Sequence, residues 1–508
     1  MKLADVMRIF KLDTGVPALG TGRGFFAGKG DETASISPLD ERPLASFHHA
    51  SREQAEEVLQ AARQAFHIWR GVPAPVRAQV LLDLAGAFRE KKEPLAHLMT
   101  YEMGKPVREA RIEIEDCAIT ATYAAGLARK IGGMEAPSIR PDVQLMEKWH
   151  PAGPVLIITA FNFPASLWAW NACLAVLCGD STVWKPAPQT PLMTVAVLRI
   201  VAETLAGHPE VPEGVFSFIM GTNEDVAVPL VGDKRLPVVS ATGSIGMGRA
   251  VGKAVAERLG TAILELGGNA AALFTPSAEM ELSLRHAFFA ATMNGGQRCT
   301  ALRRLLVHES RWDGVVGRLK TAYKSLPVGD VFGENHTLSP LVDRKAAEGF
   351  EGKVRELKAE GIEMFTPGTA LPDDGTYVPP CMSLLERDAP QPQEETFGPL
   401  LYVQPYSTFD EAIEKHNAVP QGLASGIYTN DVGEMQRFVS ERGSDAGLVA
   451  VNDITGNLEV ALAFGGTKDS GVLSEKGGDS WKHYMRRQSI VVNYSGQALP
   501  AAGVSFGS

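Results

Sequence analysis

The chain has 508 residues, 45% of them hydrophobic and 21% charged, which is apolar mass for two or three packed domains and excludes a disordered chain. Lysine and arginine number 49 against 59 acidic residues, a net charge of −10. No basic field is left for nucleic acid or an anionic membrane, so the expected partners are a small molecule and further copies of the chain.

Taken in order, the first thirteen residues are interrupted by Asp5, Arg8, Lys11 and Asp13, so no secretory core is expected. Gly20-Thr-Gly-Arg-Gly24 follows no hydrophobic strand and reads as an N-terminal loop. Ser51 with Gln54 makes a capping box ahead of Ala55, Val58, Leu59, Ala62, Ala65, Phe66 and Trp69, which share one helical stripe. Helical pattern continues to about Ile131, where Gly132-Gly133 breaks it.

From residue 154 the texture changes to β-rich runs alternating with helices, with strands expected at 154–160, 181–185, 215–220, 236–240 and 261–265. Thr190, followed by Pro191, is expected to cap a helix buried through Val195, Leu198, Ala202 and Leu205. The apolar stretch 154–184 carries Asn162, Pro164, Asn171 and Asp180, so it reads as core and not as a membrane span. This βαβ alternation predicts an α/β fold with a doubly wound parallel sheet, whose ligand sites lie at the carboxyl ends of its strands. A second β/α unit, from about 271 to 445, predicts another domain with a cleft between the two.

Five cysteines, Cys117, Cys173, Cys178, Cys299 and Cys381, lack paired spacing, so neither disulfides nor a metal site is expected. Free thiols fit a reducing cytoplasm. Gly243-Ser-Ile-Gly-Met-Gly248 follows the 236–240 strand and opens a helix through Val251, Val255 and Leu259. Such a turn lets backbone approach a pyrophosphate at a helix N-terminus, although a ligand-free β-to-α turn has the same signature. Lys185, at another strand end, suits a ribose hydroxyl or phosphate. The absence of GxxxxGK[ST] and of HExxH removes support for ATP and zincin chemistry.

Cys299 sits in Gly295-Gly-Gln-Arg-Cys-Thr300 after the apolar run 286–293. Its glycines permit a turn that exposes the sulfur, and Arg298 is a cationic neighbour expected to favour thiolate. Glu265 ends a strand ahead of Leu-Gly-Gly-Asn269, with spacing from the glycine turn that suits a ribose-binding acid as well as a base. Asn162 suits either a helix cap or an oxyanion donor. Together they compose one reaction: a thiolate adds to an aldehyde, amide groups hold the oxyanion, hydride leaves to a nicotinamide, and a carboxylate activates water against the thioester.

Seven motifs in order resemble the aldehyde dehydrogenase superfamily over about residues 40–496: Phe161-Asn-Phe-Pro164, Trp184-Lys-Pro186, Thr242-Gly-Ser244, Glu265-Leu-Gly-Gly268, Gly296-Gln-Arg-Cys299, Glu395-Thr-Phe-Gly-Pro399 and Phe464-Gly-Gly-Thr-Lys-Asp-Ser-Gly471. The resemblance implies a Rossmann-type cofactor domain (1–136 and 151–266), an α/β catalytic domain (267–445), a return segment (446–488) and a small β-flap for oligomers (137–150 and 489–508). It makes Cys299 the nucleophile, Glu265 the base, and Asn162 with the Cys299 N–H the oxyanion hole. Lys185, Gly243, Ser244, Gly221, Leu266, Glu395 and Phe397 would contact NAD. Pro188 stands where many members carry a ribose-binding glutamate, which keeps NADP open. Residues 296–304 and 481–487 are most similar to the antiquitin branch, which oxidises α-aminoadipic semialdehyde. By that likeness Arg298, partnered by Asp116, together with Phe163, Asn457, Leu458 and Phe464, would line the substrate site of a dimer or tetramer. A CoA-acylating enzyme, a cofactor-free thiol hydrolase using His286 or His308, and a silent structural member are the alternatives.

Overall fold

A computed structural model describes residues 1–457, 459–497 and 503 of the chain, so Leu458 of the expected substrate loop, and the flap beyond 497 apart from Gly503, lie outside the described residues. Helix formation follows the local chemistry. Ser51 Oγ accepts from the Gln54 N–H, while the Gln54 side chain accepts from the Ser51 N–H at 3.1 Å. The helix Arg52–Trp69 that follows buries the predicted stripe.

Eight strands form the first sheet, in the order Phe25–Phe26, Leu19–Thr21, Phe216–Ile219, Thr182–Lys185, Val155–Ile158, Val238–Thr242, Thr261–Glu265 and Gly471–Val472. The middle five are mutually parallel. Their chain order reverses between Val155–Ile158 and Val238–Thr242, and at such a switch point the carboxyl-end loops diverge and open a crevice. The apolar stretch after residue 154 supplies two of these strands and the helix Ser166–Cys178, buried on every side. No described helix is long and apolar enough to cross a membrane.

The second sheet runs Glu363–Phe365, Cys381–Leu384, Leu400–Tyr406, Leu302–His308, Ala270–Phe274, Ala424–Tyr428 and Leu448–Val451, parallel throughout except at its first strand. Residues Leu266 to Asn269 bridge the two sheets, so Glu265 ends the first one where the chain crosses to the second. A third sheet pairs Met485–Asn493 with Val143–Pro151 along their whole length and adds Met134–Ala136 at the edge. This sheet takes in 134–136 and 485–488 beside the segments expected to form a flap, because ladder pairing continues for as long as the partner strand does.

Three local expectations are corrected. Gly20-Thr21 is not loop but strand, antiparallel to Phe216–Ile219 on one side and to Phe25–Phe26 on the other; a Cβ on Gly20 would lie 2.5 Å from the Phe218 ring, and the missing side chain hid the strand pattern. Thr190 makes no side-chain cap for the helix Pro191–Leu205. The buried carboxylate of Glu102 accepts the Leu192 and Met193 N–H groups instead, at 2.7 and 2.8 Å, a long-range cap that local sequence cannot display. The helix opened by Ser244 ends at Glu257, leaving Leu259 exposed in a left-handed conformation and not on the buried face.

Candidate active site

The loop that carries Cys299 is shaped by backbone chirality. The helix Met280–Thr292 stops, and Asn294, Gly295 and Gly296 follow with φ of 52°, 60° and 73°. Successive left-handed residues turn the chain sharply, and glycine adopts them without a Cβ clash. A Cβ on Gly296 would also lie 2.3 Å from the Gly398 carbonyl oxygen. Gly296→Ala is therefore expected to cost about 1–3 kcal/mol and to lower turnover with it, as chemical denaturation and steady-state rates would report. The Gln297 side chain pins the turn: it donates to the Asn294 and Pro340 carbonyls and accepts from the Val342 N–H at 2.8 Å. Of the five free cysteines only Cys299 is partly exposed.

Around that thiol the expected partners gather. Asn162 Nδ2 donates to the Gln297 carbonyl at 3.0 Å, which ties it to the cysteine loop. The following helix does not use Asn162 as a cap: Glu113 accepts the Ala165 and Ser166 N–H groups. Glu265 is 3% exposed and neither carboxylate oxygen has a hydrogen-bond partner among the described residues. Burial, then the neighbouring Glu475, pushes its pKa well above the ordinary carboxylate range. An unpartnered carboxylate at the thiol is placed to take a proton, and the ribose-acid alternative loses ground.

Arg298 does not deliver the expected thiolate. Burial, followed by Glu395, Glu265 and Glu475, pushes the Cys299 thiol up to about 12, and Arg298 opposes this only in part. The thiol therefore rests protonated. Glu475 escaped the sequence reading: its Oε2 accepts from Asn171 and Thr242, at 3.0 and 3.3 Å, and burial raises it to about 7. No motif marks it, since its importance lies in the fold bringing it beside Glu265.

Of the residues expected to hold a dinucleotide, Lys185, Gly221, Gly243, Ser244 and Leu266 stand at or just beyond carboxyl ends of the first sheet's strands, and Glu395 and Phe397 line a cleft. Ser244 Oγ accepts from the Met247 N–H and so caps the helix Ile245–Glu257, whose N-terminal end carries the partial positive charge that favours an anion. Gly248 gives Leu266 room to pack, a Cβ there lying 2.3 Å from its methyl carbons. Gly221 follows the strand Phe216–Ile219, and Lys185 ends its neighbour, buried, with no ion pair to any described residue and with burial lowering its pKa. At the far end a cleft of about 510 Å³ is lined by Phe161, Phe350, Lys353, Glu356, Glu395 and Phe397. Arg303, also unforeseen, donates to Glu395 Oε1 at 3.2 Å and to the Arg298 carbonyl at 3.1 Å, coupling this carboxylate to the cysteine loop. A buried cation without a partner, a capped helix N-terminus and an oriented carboxylate fit a dinucleotide's phosphates and ribose.

On the other side of the thiol, Phe163, Trp170 and Phe464 form one apolar cluster against which Cys299 packs. Arg298 lies 5.8 Å from the Phe163 ring and donates to the Met293 sulfur. Its expected pairing with Asp116 is not made. Asp116 accepts the Trp170 indole N–H at 2.5 Å and lies 3.8 Å from the Lys476 ammonium, because that buried cation competes for it. Thr455 donates to the Thr300 carbonyl, which docks the 453–457 loop beside the thiol, while Asn457 itself stays exposed and bonds Asp453. His308, a hydrolase partner by the alternative reading, is committed to Ser310 and the Ser407 carbonyl at the other end of its strand.

Residues 25–490 match the family model for the aldehyde dehydrogenase family. The chain is 40% identical over 488 residues to the α-aminoadipic semialdehyde dehydrogenase of Bos taurus, covering 96% of this chain and 90% of that one. It is 38% identical, also over 488 residues, to aldehyde dehydrogenase family 7 member A1 of Malus domestica, covering 95% and 96%. Among solved structures, betaine aldehyde dehydrogenase from Staphylococcus aureus in complex with NAD+ superimposes with a TM-score of 0.91 at 28% identity, over 99% of each chain.

Proposed function

This chain belongs to the aldehyde dehydrogenase family, and on that premise we propose that it oxidises an aldehyde to the carboxylate with NAD or NADP by way of a thioester on Cys299. The favoured substrate class is an amino-acid-derived semialdehyde, such as the one named for its bovine relative. One observation carries the reading: the partly exposed thiol, the amide tied to its loop and the unpartnered carboxylate meet between two nucleotide-ready strand ends and an aromatic wall.

Each side chain has a separate task. The partly exposed Cys299 thiol gives its proton to solvent as its sulfur bonds to the carbonyl carbon, and the Asn162 amide and the Cys299 backbone N–H donate to the oxygen as it becomes negative. Lys185, Gly243, Ser244 and Glu395 would hold the dinucleotide, which would supply a two-electron hydride acceptor when bound. Glu265 then removes a proton from water as it attacks the acyl carbon, and the sulfur leaves as the carboxylate product forms. Phe163, Trp170 and Phe464 keep the acyl chain out of bulk water. We also propose that the protein is a homo-oligomer, which the exposed Val491, Val492 and Tyr494 along one strand and its end support, and that it works in the cytoplasm, whose reducing conditions suit five free thiols.

The test crosses aliphatic, aromatic and amino-acid semialdehydes with NAD and NADP, following the reduced cofactor's absorbance at about 340 nm. Aldehyde-dependent reduction with at least one semialdehyde is expected. No reduction across the panel, with dinucleotide binding intact, would contradict it.

A further inference from the structure

Lys476 has no role in the chemistry above, yet it stands at the substrate wall. Its side chain is 4% exposed, its ammonium lies 3.8 Å from the centroid of the Trp170 ring and 5.9 Å from that of Phe464, and Asp116 Oδ1 is 3.8 Å away. The other Asp116 oxygen accepts the Trp170 indole N–H. Ammonium, indole and carboxylate thus close on one another. An ammonium this deeply buried needs such compensation, from a carboxylate and from the face of an aromatic ring.

The charges around the wall are then largely spoken for. Lys105 stands 3.9 Å over Phe163 and is ion-paired with buried Glu113, and Lys476 takes Asp116. Arg298 remains without an ion pair to any described residue, and its Nε is buried with no acceptor. Glu109 acts on it from a distance but makes no ion pair with it.

We propose that Lys476 sets the charge selectivity of the aldehyde pocket: by holding Asp116 it denies an anchor to a substrate ammonium, leaving the pocket to aldehydes whose far end is a carboxylate without an amino group. This rests on the aldehyde-oxidising reading above and, within it, replaces the amino-acid semialdehyde favoured there by the semialdehyde of the same length that lacks the amino group. Arg298 is the cation free to meet that carboxylate. Discrimination arises because a site rejects a charged group for which it offers no partner.

Three substrates of one chain length isolate the effect: 6-oxohexanoate, its 2-amino derivative and hexanal, each measured as kcat/KM on the full-length protein. The wild type is expected to prefer 6-oxohexanoate to the amino derivative by about tenfold or more. In Lys476→Met the freed Asp116 should shrink or reverse that ratio by about tenfold, with hexanal moving less than either acid, while Lys476→Arg keeps the wild-type order. Following each substrate across variants cancels the amino aldehyde's cyclisation onto its own carbonyl. If Lys476→Met fails to fold, as dinucleotide binding would report, Asp116→Asn decides instead: the preference for 6-oxohexanoate should widen. A wild type that favours the amino derivative, equal losses on all three substrates in Lys476→Met, or an unchanged ratio in Asp116→Asn would overturn the proposal. Turnover of hexanal without charge discrimination overturns this inference alone, whereas no reduction with any aldehyde overturns the reading it rests on.

Discussion

Cys299→Ala is expected to lower aldehyde-dependent reduction of the dinucleotide by at least about 10⁴-fold, the scale of losing a catalytic nucleophile, while leaving dinucleotide affinity little changed. The expectation follows from the loop and from the other four thiols. Cys117, Cys173, Cys178 and Cys381 are buried, closed to an aldehyde, so none can take over. Asn162 would keep its place at the Gln297 carbonyl, and it would have no tetrahedral adduct to stabilise. Lys185, Ser244 and Glu395 do not depend on the sulfur, so binding of the cofactor, followed by fluorescence titration, separates lost chemistry from lost structure. Turnover above about one per cent of wild type would place the nucleophile elsewhere.

Glu265→Gln should slow steady-state turnover by about 10²–10⁴-fold, the usual contribution of a general base, with the first burst of reduced cofactor retained. The amide keeps the shape of the side chain and removes the proton acceptor, so the acyl group forms on the sulfur and then waits for water. The pH profile carries a second signature. Because burial and Glu475 raise the Glu265 pKa, its basic form is lost as pH falls through that raised value, and turnover should climb as pH rises. The Cys299 thiol, pushed up to about 12, acts in the same direction. Glu265→Gln removes the part of the climb that belongs to water activation; an identical profile in the variant would count against its role.

What could be read from the chain was whatever local chemistry encodes. The Ser51–Gln54 cap, the alternation of strands and helices after residue 154 and the glycine turn at 243–248 all depend on neighbours a few residues away, and the structure has each of them. Cys299 and Glu265 stood out because glycines beside them signal close backbone approach. What escaped depends on distance in sequence. Glu102 and Glu113 cap helices about 90 and 50 residues further along the chain, replacing the local caps that Thr190 and Asn162 seemed to offer. Glu475, Arg303 and Lys476 are ordinary charged residues until the return segment and the second sheet bring them to the thiol and its aromatic wall. Arg298 shows the opposite error: adjacency in sequence suggested a thiolate, and burial, followed by three carboxylates from elsewhere in the fold, outweighed it. Asp116 was placed at the substrate site, but its partner was misjudged because Lys476 lies 360 residues away along the chain.

The most direct test of the account is the intact mass of Glu265→Gln, quenched within one turnover of mixing with an aldehyde and NAD. The account predicts a gain equal to the aldehyde less two hydrogens, carried by the peptide that contains Cys299 and absent when NAD is omitted. Reduced cofactor formed without that adduct, or with the acyl group on another cysteine, would contradict it.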